Sequence, residues 1–313
     1  MQHRFAGQSV LILGGGGFIG TSLASLLSRV GARVTCASRS VSTRASGGIQ
    51  FRQVNACDHG ALETAFAASA PVLVFQLAGR VTGRQDMEEI LPTLHGNLLT
   101  TVNALVLAKR HGCARFILAA SLEEPDSVDS TVRATSPYGA AKWASSVYAR
   151  MFNDVYGLRV ALARIFIAYG PGQNTREKLI PYAVHELLDG RAPVIESGSR
   201  LIDWIFVDDV SRGLAMLAAA DSVDGQMIDL GSGTLVSVAD LVSRIHRMIA
   251  GSAAPVIAAA PRRRDEVVRK ADVERTRNII GWEPTVDLDE GLRRTLSWLQ
   301  SPDGASVRAE TPG

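Results

Sequence analysis

The chain has 313 residues, 46% hydrophobic and 20% charged, a globular composition sufficient for one large core or two modest domains. A formal net charge of +2 gives no global attraction to nucleic acid or to a membrane surface, and the apolar runs look too short to cross a bilayer, so neither partner is expected. Cys36, Cys57 and Cys113 are scattered without Cys-x-x-Cys spacing and read as reduced thiols of a cytoplasmic protein, and the six histidines show no ligand spacing, so no metal is expected.

In chain order, residues 8–13 (QSVLIL) predict a short strand. Residues 21–30 (TSLASLLSRV) predict a helix with Leu23, Leu26, Leu27 and Val30 at helical spacing. Between them stand four consecutive glycines, Gly14 to Gly17, followed by Gly20. Glycine weakens strands and helices alike, so its concentration here marks a place where backbone is approached closely. GARVTCAS then supplies a glycine stop and a second strand. The whole is a βαβ unit in which Gly14, Gly17 and Gly20 form G-x-x-G-x-x-G. Such a turn presents backbone N–H groups and the positive end of a helix to a dinucleotide pyrophosphate.

GIQFRQVNA predicts a third strand, HGALETAFAAS a helix, and PVLVFQLAG a fourth strand, apolar throughout and so covered on both faces. NLLTTVNALVLAKRHG predicts a long helix, ARFILAAS a fifth strand, SPYGAAKWASSVYARMFNDVYG a second long helix, and LRVALARIFIAYG a sixth strand. This alternation specifies α/β architecture with a doubly wound, Rossmann-like parallel sheet. After YGPGQ the rhythm changes to the helices and short strands of a smaller mixed α/β portion. The expected organisation is a dinucleotide-binding domain over 1–168, rejoined by about 204–233. A substrate-binding domain covers 169–203 and 234–301, and a flexible polar tail covers 302–313.

Tyr138 and Lys142 lie four residues apart at the start of a predicted helix, hence on one face. A free tyrosine titrates near 10, and a neighbouring ammonium favours its phenolate. A fall of about three units asks for roughly 4 kcal/mol of differential stabilisation. Ser121 ends the fifth strand, at the carboxyl edge where α/β sheets present their sites. A hydroxyl there holds a substrate oxygen while the tyrosine moves the proton.

These residues, with the motifs GGGGFIG, VFQLAG, FILAAS, SPYGAAK, RIFIAYGPGQ, EKLIP, DWIFVDDV, DLGSG and IIGWEPTVDLDEGL in that order over about residues 8–300, resemble an extended short-chain dehydrogenase/reductase of the nucleotide-sugar epimerase/dehydratase family. The resemblance implies a catalytic triad of Ser121, Tyr138 and Lys142. It places a nicotinamide dinucleotide against the glycine turn (Gly14, Gly17, Phe18, Ile19, Gly20), the ends of the second and third strands (Ser38, Arg39, Asn55, Ala56) and the segment after the fourth (Leu77, Ala78, Gly79). Tyr138 and Lys142 complete that set. It implies a nucleotide-diphosphate sugar as substrate, met by Lys178, Leu179, Arg200 and Arg264, and a homodimer formed through the helices near 95–111 and 137–156.

The chain also departs from the family pattern. Where an Asp often reads the adenine ribose, Ser38 stands and Arg39 follows, which suits a 2′-phosphate; NADP is the expected cofactor, with NAD as the other candidate. Asn55 replaces an Asp, Gln76 a His, and Ile202 an Arg that contacts the diphosphate, a role that falls instead to Arg200 or to the run Arg262, Arg263 and Arg264. Glu123, two residues after Ser121, is where related dehydratases carry a general acid or base. The expected activity is hydride and proton exchange at C4 of a nucleotide-activated hexose, as a C4 epimerase or 4-ketoreductase. The alternatives are a 4,6-dehydratase using Glu123 and, in another class, a non-catalytic NADP(H)-sensing protein.

Overall fold

The computed structural model describes residues 2–39, 48–125, 133–173, 177–249, 253–258 and 268–305. Strand β1 (Ser9–Leu13) is buried along its whole length and runs through the glycine turn into α1 (Phe18–Arg29). Strands β2 (Arg33–Ser38) and β3 (Gln50–Gln53) follow, then α2 (His59–Ser69), whose first turn is capped by the Asp58 carboxylate accepting from Ala61 N–H. After β4 (Leu73–Gln76) comes α3 (Met87–Arg110), then β5 (Arg115–Ser121), then α4 (Pro137–Tyr156). Helix α4 starts at a Ser136 cap with Pro137 in its first turn and stops at Gly157, where φ is +63°.

Strand β6 (Val160–Ile165) ends one residue before β7 (Ile167–Tyr169). Helix α5 (Leu179–Leu188), β8 (Val194–Ile195), β9 (Leu201–Phe206), α6 (Val207–Ala219), β10 (Met227–Leu230) and β11 (Leu235–Ser237) come next. Then come α7 (Val238–Met248), β12 (Val256–Ile257), α8 (Val273–Ile280) and α9 (Leu288–Gln300), and a short helical turn, Pro302–Ala305, stands at the start of the stretch expected to be a flexible tail.

Seven strands pair in parallel in the order β10-β6-β5-β4-β1-β2-β3. The chain winds outward from β1 in one direction through β2 and β3, then in the other through β4, β5 and β6. The strand order therefore reverses between β1 and β4, where such sheets open a crevice at their carboxyl ends. The sheet is buried because helices cover it, with Leu11, Val74, Phe116 and Leu162 inside one apolar cluster beside Leu62, Phe66, Leu105 and Ala149. Cys36 and Cys113 are buried here, and burial pushes their thiols up to about 12 and about 11; all three cysteines are free.

The chain divides into two compact units. The first is Met1–Ile165, Ser211–Leu230 and Glu274–Trp282; the second is Phe166–Val210, Gly231–Val273 and Glu283–Gly313. The return expected over 204–233 is thus shorter. Strand β9 pairs with β7 and β11 rather than with the large sheet, and so sits in the second unit. A further return, Glu274–Trp282, was not expected. It is tied to β10 by Thr276 Oγ1 donating to Asp229 O at 2.9 Å and Arg275 donating to Met227 O at 2.8 Å.

The single sixth strand of the sequence reading is two strands. Ser121 is the last residue of β5 and pairs with Ile165, so beyond that rung the chain has no partner in the large sheet. Residues Ile167–Tyr169 pair with β9 instead. The second unit has its own core around Tyr169, Trp204, Phe206, Leu241 and Leu292. Arg262, Arg263, Arg264 and the tail beyond 305 lie outside the described residues.

Helix α3 begins ten residues earlier than the pattern predicts and has the length and apolar composition of a membrane span, contrary to the expectation from the apolar runs. It packs within the first unit with Thr93, Asn97, Thr100, Thr101 and Asn103 buried. Its middle, Leu94–Leu99, is a π-turn. Thr93 Oγ1 donates to Glu89 O, Thr100 Oγ1 to His95 O, and Asn97 Nδ2 to Thr93 O, so side chains take up carbonyls that the regular ladder would use.

Trp282 tests the second return. It is fully buried, with the Arg212 guanidinium 5.8 Å from its ring centre and Gly213 against its indole. Trp282→Ala is expected to destabilise the first unit by about 3–5 kcal/mol in a urea titration followed by far-ultraviolet circular dichroism. A loss below about 1 kcal/mol would place this residue outside the core.

Candidate functional site

The turn after β1 is held at both sides: Gly14 N–H donates to Ala37 O at 2.8 Å, and Leu77 N–H donates to Leu13 O at 2.9 Å. Gly14 has φ +81°, and a Cβ there would lie 2.6 Å from Ala78 N. A Cβ on Gly20 would overlap the carbonyl oxygen of Gly14. Both glycines are therefore required by the protein's own packing. Gly17 differs. It is the N-cap of α1 with φ −81°, and a Cβ there would meet only Gly14 O, at 3.2 Å.

Beside this turn a cavity of about 430 Å³ opens along the strand ends. Gly14, Gly16 and Gly17 line it, with Ser38 and Arg39 after β2, Asn55 and Ala56 after β3, and Leu77, Ala78 and Gly79 after β4. Arg80, His95, Gly96 and Thr100 close another side, and Asn103 steadies the wall by donating to the carbonyls of Ala56 and Cys57, each at 3.1 Å. Phe18, Ile19 and Gly20 are not in the lining. They form the first turn of α1, behind the glycines that reach the cavity.

This arrangement fits a dinucleotide. The side facing the first turn of α1 has no side chains, the positive end of the helix points there, and Gly17 is constrained only by a close contact with Gly14 O, far less than Gly14 or Gly20. Among the described residues, no group of three or more His, Cys, Asp or Glu is gathered as a metal site would need.

Ser121, Tyr138 and Lys142 come together, all buried. The Ser121 hydroxyl lies beside the Tyr138 phenol and lowers its pKa, and it accepts from Glu123 N–H at 3.2 Å. Lys142 Nζ donates to the carbonyl of Ala119 at 2.8 Å. The electrostatics differ from the expectation that Lys142 draws the phenol down. Burial raises the Tyr138 pKa, the nearby Ser121 hydroxyl lowers it, and the charges of Glu123 and Glu124 raise it further. Burial likewise lowers the Lys142 pKa, against which Glu124 acts.

Glu123 is half-buried and accepts from the Ser136 hydroxyl at 2.8 Å, at the cap of α4. Two further polar residues escaped the sequence reading. Asn97 donates to Arg80 O at 3.1 Å, while its Oδ1 is buried without a donor, 2.6 Å from where a Gly79 Cβ would stand. Glu124 is buried beneath Ser121. The adjacent acids in SLEE were the visible signal for Glu124; nothing in the sequence marked Asn97.

The residues expected at the sugar nucleotide lie in the second unit. Lys178 is exposed at the N-cap of α5, Leu179 is half-buried in its first turn, and Arg200 is exposed just before β9. Ile202 is half-buried in β9 opposite Val236. Its neighbour Asp203 accepts from Ser232 N–H, Ser232 Oγ, Gly233 N–H and Ala271 N–H at 2.6–3.0 Å.

A model of the NAD-dependent epimerase/dehydratase family matches residues 10–231. The chain is similar to the UDP-glucuronate 4-epimerase of Thermodesulfobacterium geofontis (strain OPF15), 25% identical over 264 residues that cover 81% of this chain and 80% of that protein. It is 27% identical over 259 residues to the dTDP-glucose 4,6-dehydratase of Actinoplanes sp. (strain ATCC 31044 / CBS 674.73 / SE50/110), covering 80% of each. The solved structure of epimerase Mth375 from Methanothermobacter thermautotrophicus superposes with a TM-score of 0.88 at 25% identity, covering 99% of this chain and 97% of that one.

The two kinds of glycine separate in a binding experiment. Gly17→Val is expected to keep the far-ultraviolet spectrum and lose dinucleotide binding, because the added side chain enters the cavity. Gly20→Ala is expected to lower the unfolding midpoint, because its Cβ meets backbone. Normal dinucleotide binding by folded Gly17→Val would make that glycine purely structural.

Proposed function

The chain belongs to the NAD-dependent epimerase/dehydratase family, and from that premise we propose that it acts at C4 of an NDP-hexose, as a C4 epimerase or 4-ketoreductase. The observation that carries this reading is the buried Ser121–Tyr138 pair, with Lys142 one turn further along α4 and donating to Ala119 O, at the carboxyl edge of the sheet that also holds the glycine cradle. When bound, the nicotinamide dinucleotide exchanges hydride with the sugar carbon. Tyr138 exchanges a proton with the C4 oxygen, Ser121 orients that oxygen, and Lys142 supplies positive charge and a donor beside the dinucleotide. The raised pKa of Tyr138 makes it a proton donor in the free protein, which suits the direction that reduces a 4-keto sugar.

Glu123 supports a second reading, 4,6-dehydration, because its half-buried carboxylate acts on the Tyr138 phenol and one relative is a 4,6-dehydratase. Incubation with a panel of NDP-hexoses separates the readings: an epimer of unchanged mass, consumption of reduced dinucleotide, or loss of one water. For the cofactor, Ser38 and Arg39 on the cavity wall favour NADP over NAD, since a guanidinium pairs with a 2′-phosphate and no carboxylate stands at Ser38. Exposed Ile90, Leu91 and Leu94 on α3, with Val147, Tyr148 and Val155 on α4, support pairing of two copies through these helices.

Two outcomes check this function. Tyr138→Phe keeps the ring and removes the transferable proton, so turnover on the active NDP-sugar is expected to fall about 10²–10⁴-fold with little change in dinucleotide affinity. Near-normal turnover would sink the proton-transfer assignment. Arg39→Ala is expected to weaken NADPH about tenfold and NADH little in fluorescence titrations, the size of one charge-assisted hydrogen bond. Equal affinities of the unaltered protein for both dinucleotides would remove the NADP assignment.

A further inference from the structure

Tyr138, Lys142 and Ser146 are spaced by four and form one stripe along α4. Each is tied to the end of β5. The phenol meets the Ser121 hydroxyl, the ammonium donates to Ala119 O at 2.8 Å, and the Ser146 hydroxyl donates at 2.5 Å to Glu124 Oε2. Glu124 completes the third tie through its other oxygen, which accepts the N–H of Ser121 itself at 2.7 Å. Its own N–H donates to Ser121 O at 3.1 Å, so the chain folds back and brings the carboxylate beneath the residue it holds.

Glu124 is 1% exposed. A carboxylate so deeply buried is costly unless it is paired and hydrogen-bonded. Here two strong donors hold it, and the charges of Lys142 on α4 and Arg164 on β6 act on it, Arg164 being paired in turn with Asp229. The first two ties use groups that must be free to meet substrate or dinucleotide in the proposed reaction. The third uses none of them.

We propose that Glu124 is a positioning residue for the reaction at C4. Its carboxylate clamps the backbone of Ser121 to Ser146, and so keeps the strand hydroxyl in register with the Tyr138 phenol. The proposal rests on the function proposed above for Ser121 and Tyr138. A neutral amide at this position preserves the clamp, with its oxygen accepting from Ser121 N–H and its nitrogen donating to Ser146 Oγ. A methyl group removes it.

The test compares Glu124→Gln, Glu124→Ala and Ser146→Ala. It reads kcat and KM on the active NDP-hexose, and hydrogen exchange at the Ser121 amide in the protein as purified. Glu124→Ala is expected to lower kcat about 10–100-fold, the scale of a sub-ångström to ångström misplacement, with KM within about threefold and faster Ser121 exchange. Glu124→Gln is expected to restore kcat to within about threefold and exchange to normal. Ser146→Ala, which leaves the loop intact, is expected to lower kcat several-fold at unchanged KM, and it carries the test if Glu124→Ala does not fold. Wild-type kcat in the alanine variants, or a Gln variant as impaired as Ala, overturns the clamp. The exchange readout needs no turnover, so it separates failure of the clamp from failure of the C4 reading, which Tyr138→Phe reports.

Discussion

Parallel pairing of β1 with β2 on one side and β4 on the other is the constraint on which the dinucleotide site depends. It puts the carboxyl ends of three neighbouring strands side by side, and the chain must leave each of them within a few residues. The glycine turn is confined in that space by Gly14 N–H to Ala37 O and by Leu77 N–H to Leu13 O. With Ala78 backbone pressed against Gly14, there is no room for a side chain, and the side of the cavity at the glycine turn is walled by main chain. The helix that follows then points its positive end into the same space.

The second organising element is the seam between β5 and α4. Burying a phenol, an ammonium and a carboxylate within a few residues of each other is unfavourable group by group. The seam tolerates them because each has a partner on the opposite element. Their titration follows from this. Burial raises Tyr138 and Glu124 and lowers Lys142, so all three are pushed toward their neutral forms, while the attraction between Glu124 and Lys142 opposes this for both. Proton affinities in the seam are coupled, and a change at Glu124 is felt at the phenol.

Carboxylates also organise the second unit. Asp203 gathers three backbone N–H groups and a hydroxyl from two separate segments. Asp209 accepts from Thr285 N–H, Thr285 Oγ1 and Val286 N–H at 2.8–3.0 Å. In each case one short acid accepts from the backbone of a loop. The DWIFVDDV motif therefore owes both of these acids to loop architecture, and no substrate contact is needed to account for them.

Local pattern was enough for much of this protein. The strand–glycine–helix junction, the alternation of strands and helices up to residue 165, and the placing of Ser121 at a strand end with Tyr138 and Lys142 one helical turn apart are all matters of near-neighbour chemistry. Period, propensity and spacing determine them. Three features needed the tertiary structure. The split of the sixth strand at Phe166 depends on where β5 stops. The return of Glu274–Trp282 to the first unit depends on hydrogen bonds to β10. The roles of Asn97 and Glu124 depend on which carbonyl, amide or hydroxyl a buried polar side chain meets. These are contacts between residues far apart in the chain or across an element boundary. No periodicity records them, because a buried acceptor is chosen by what the fold brings to it.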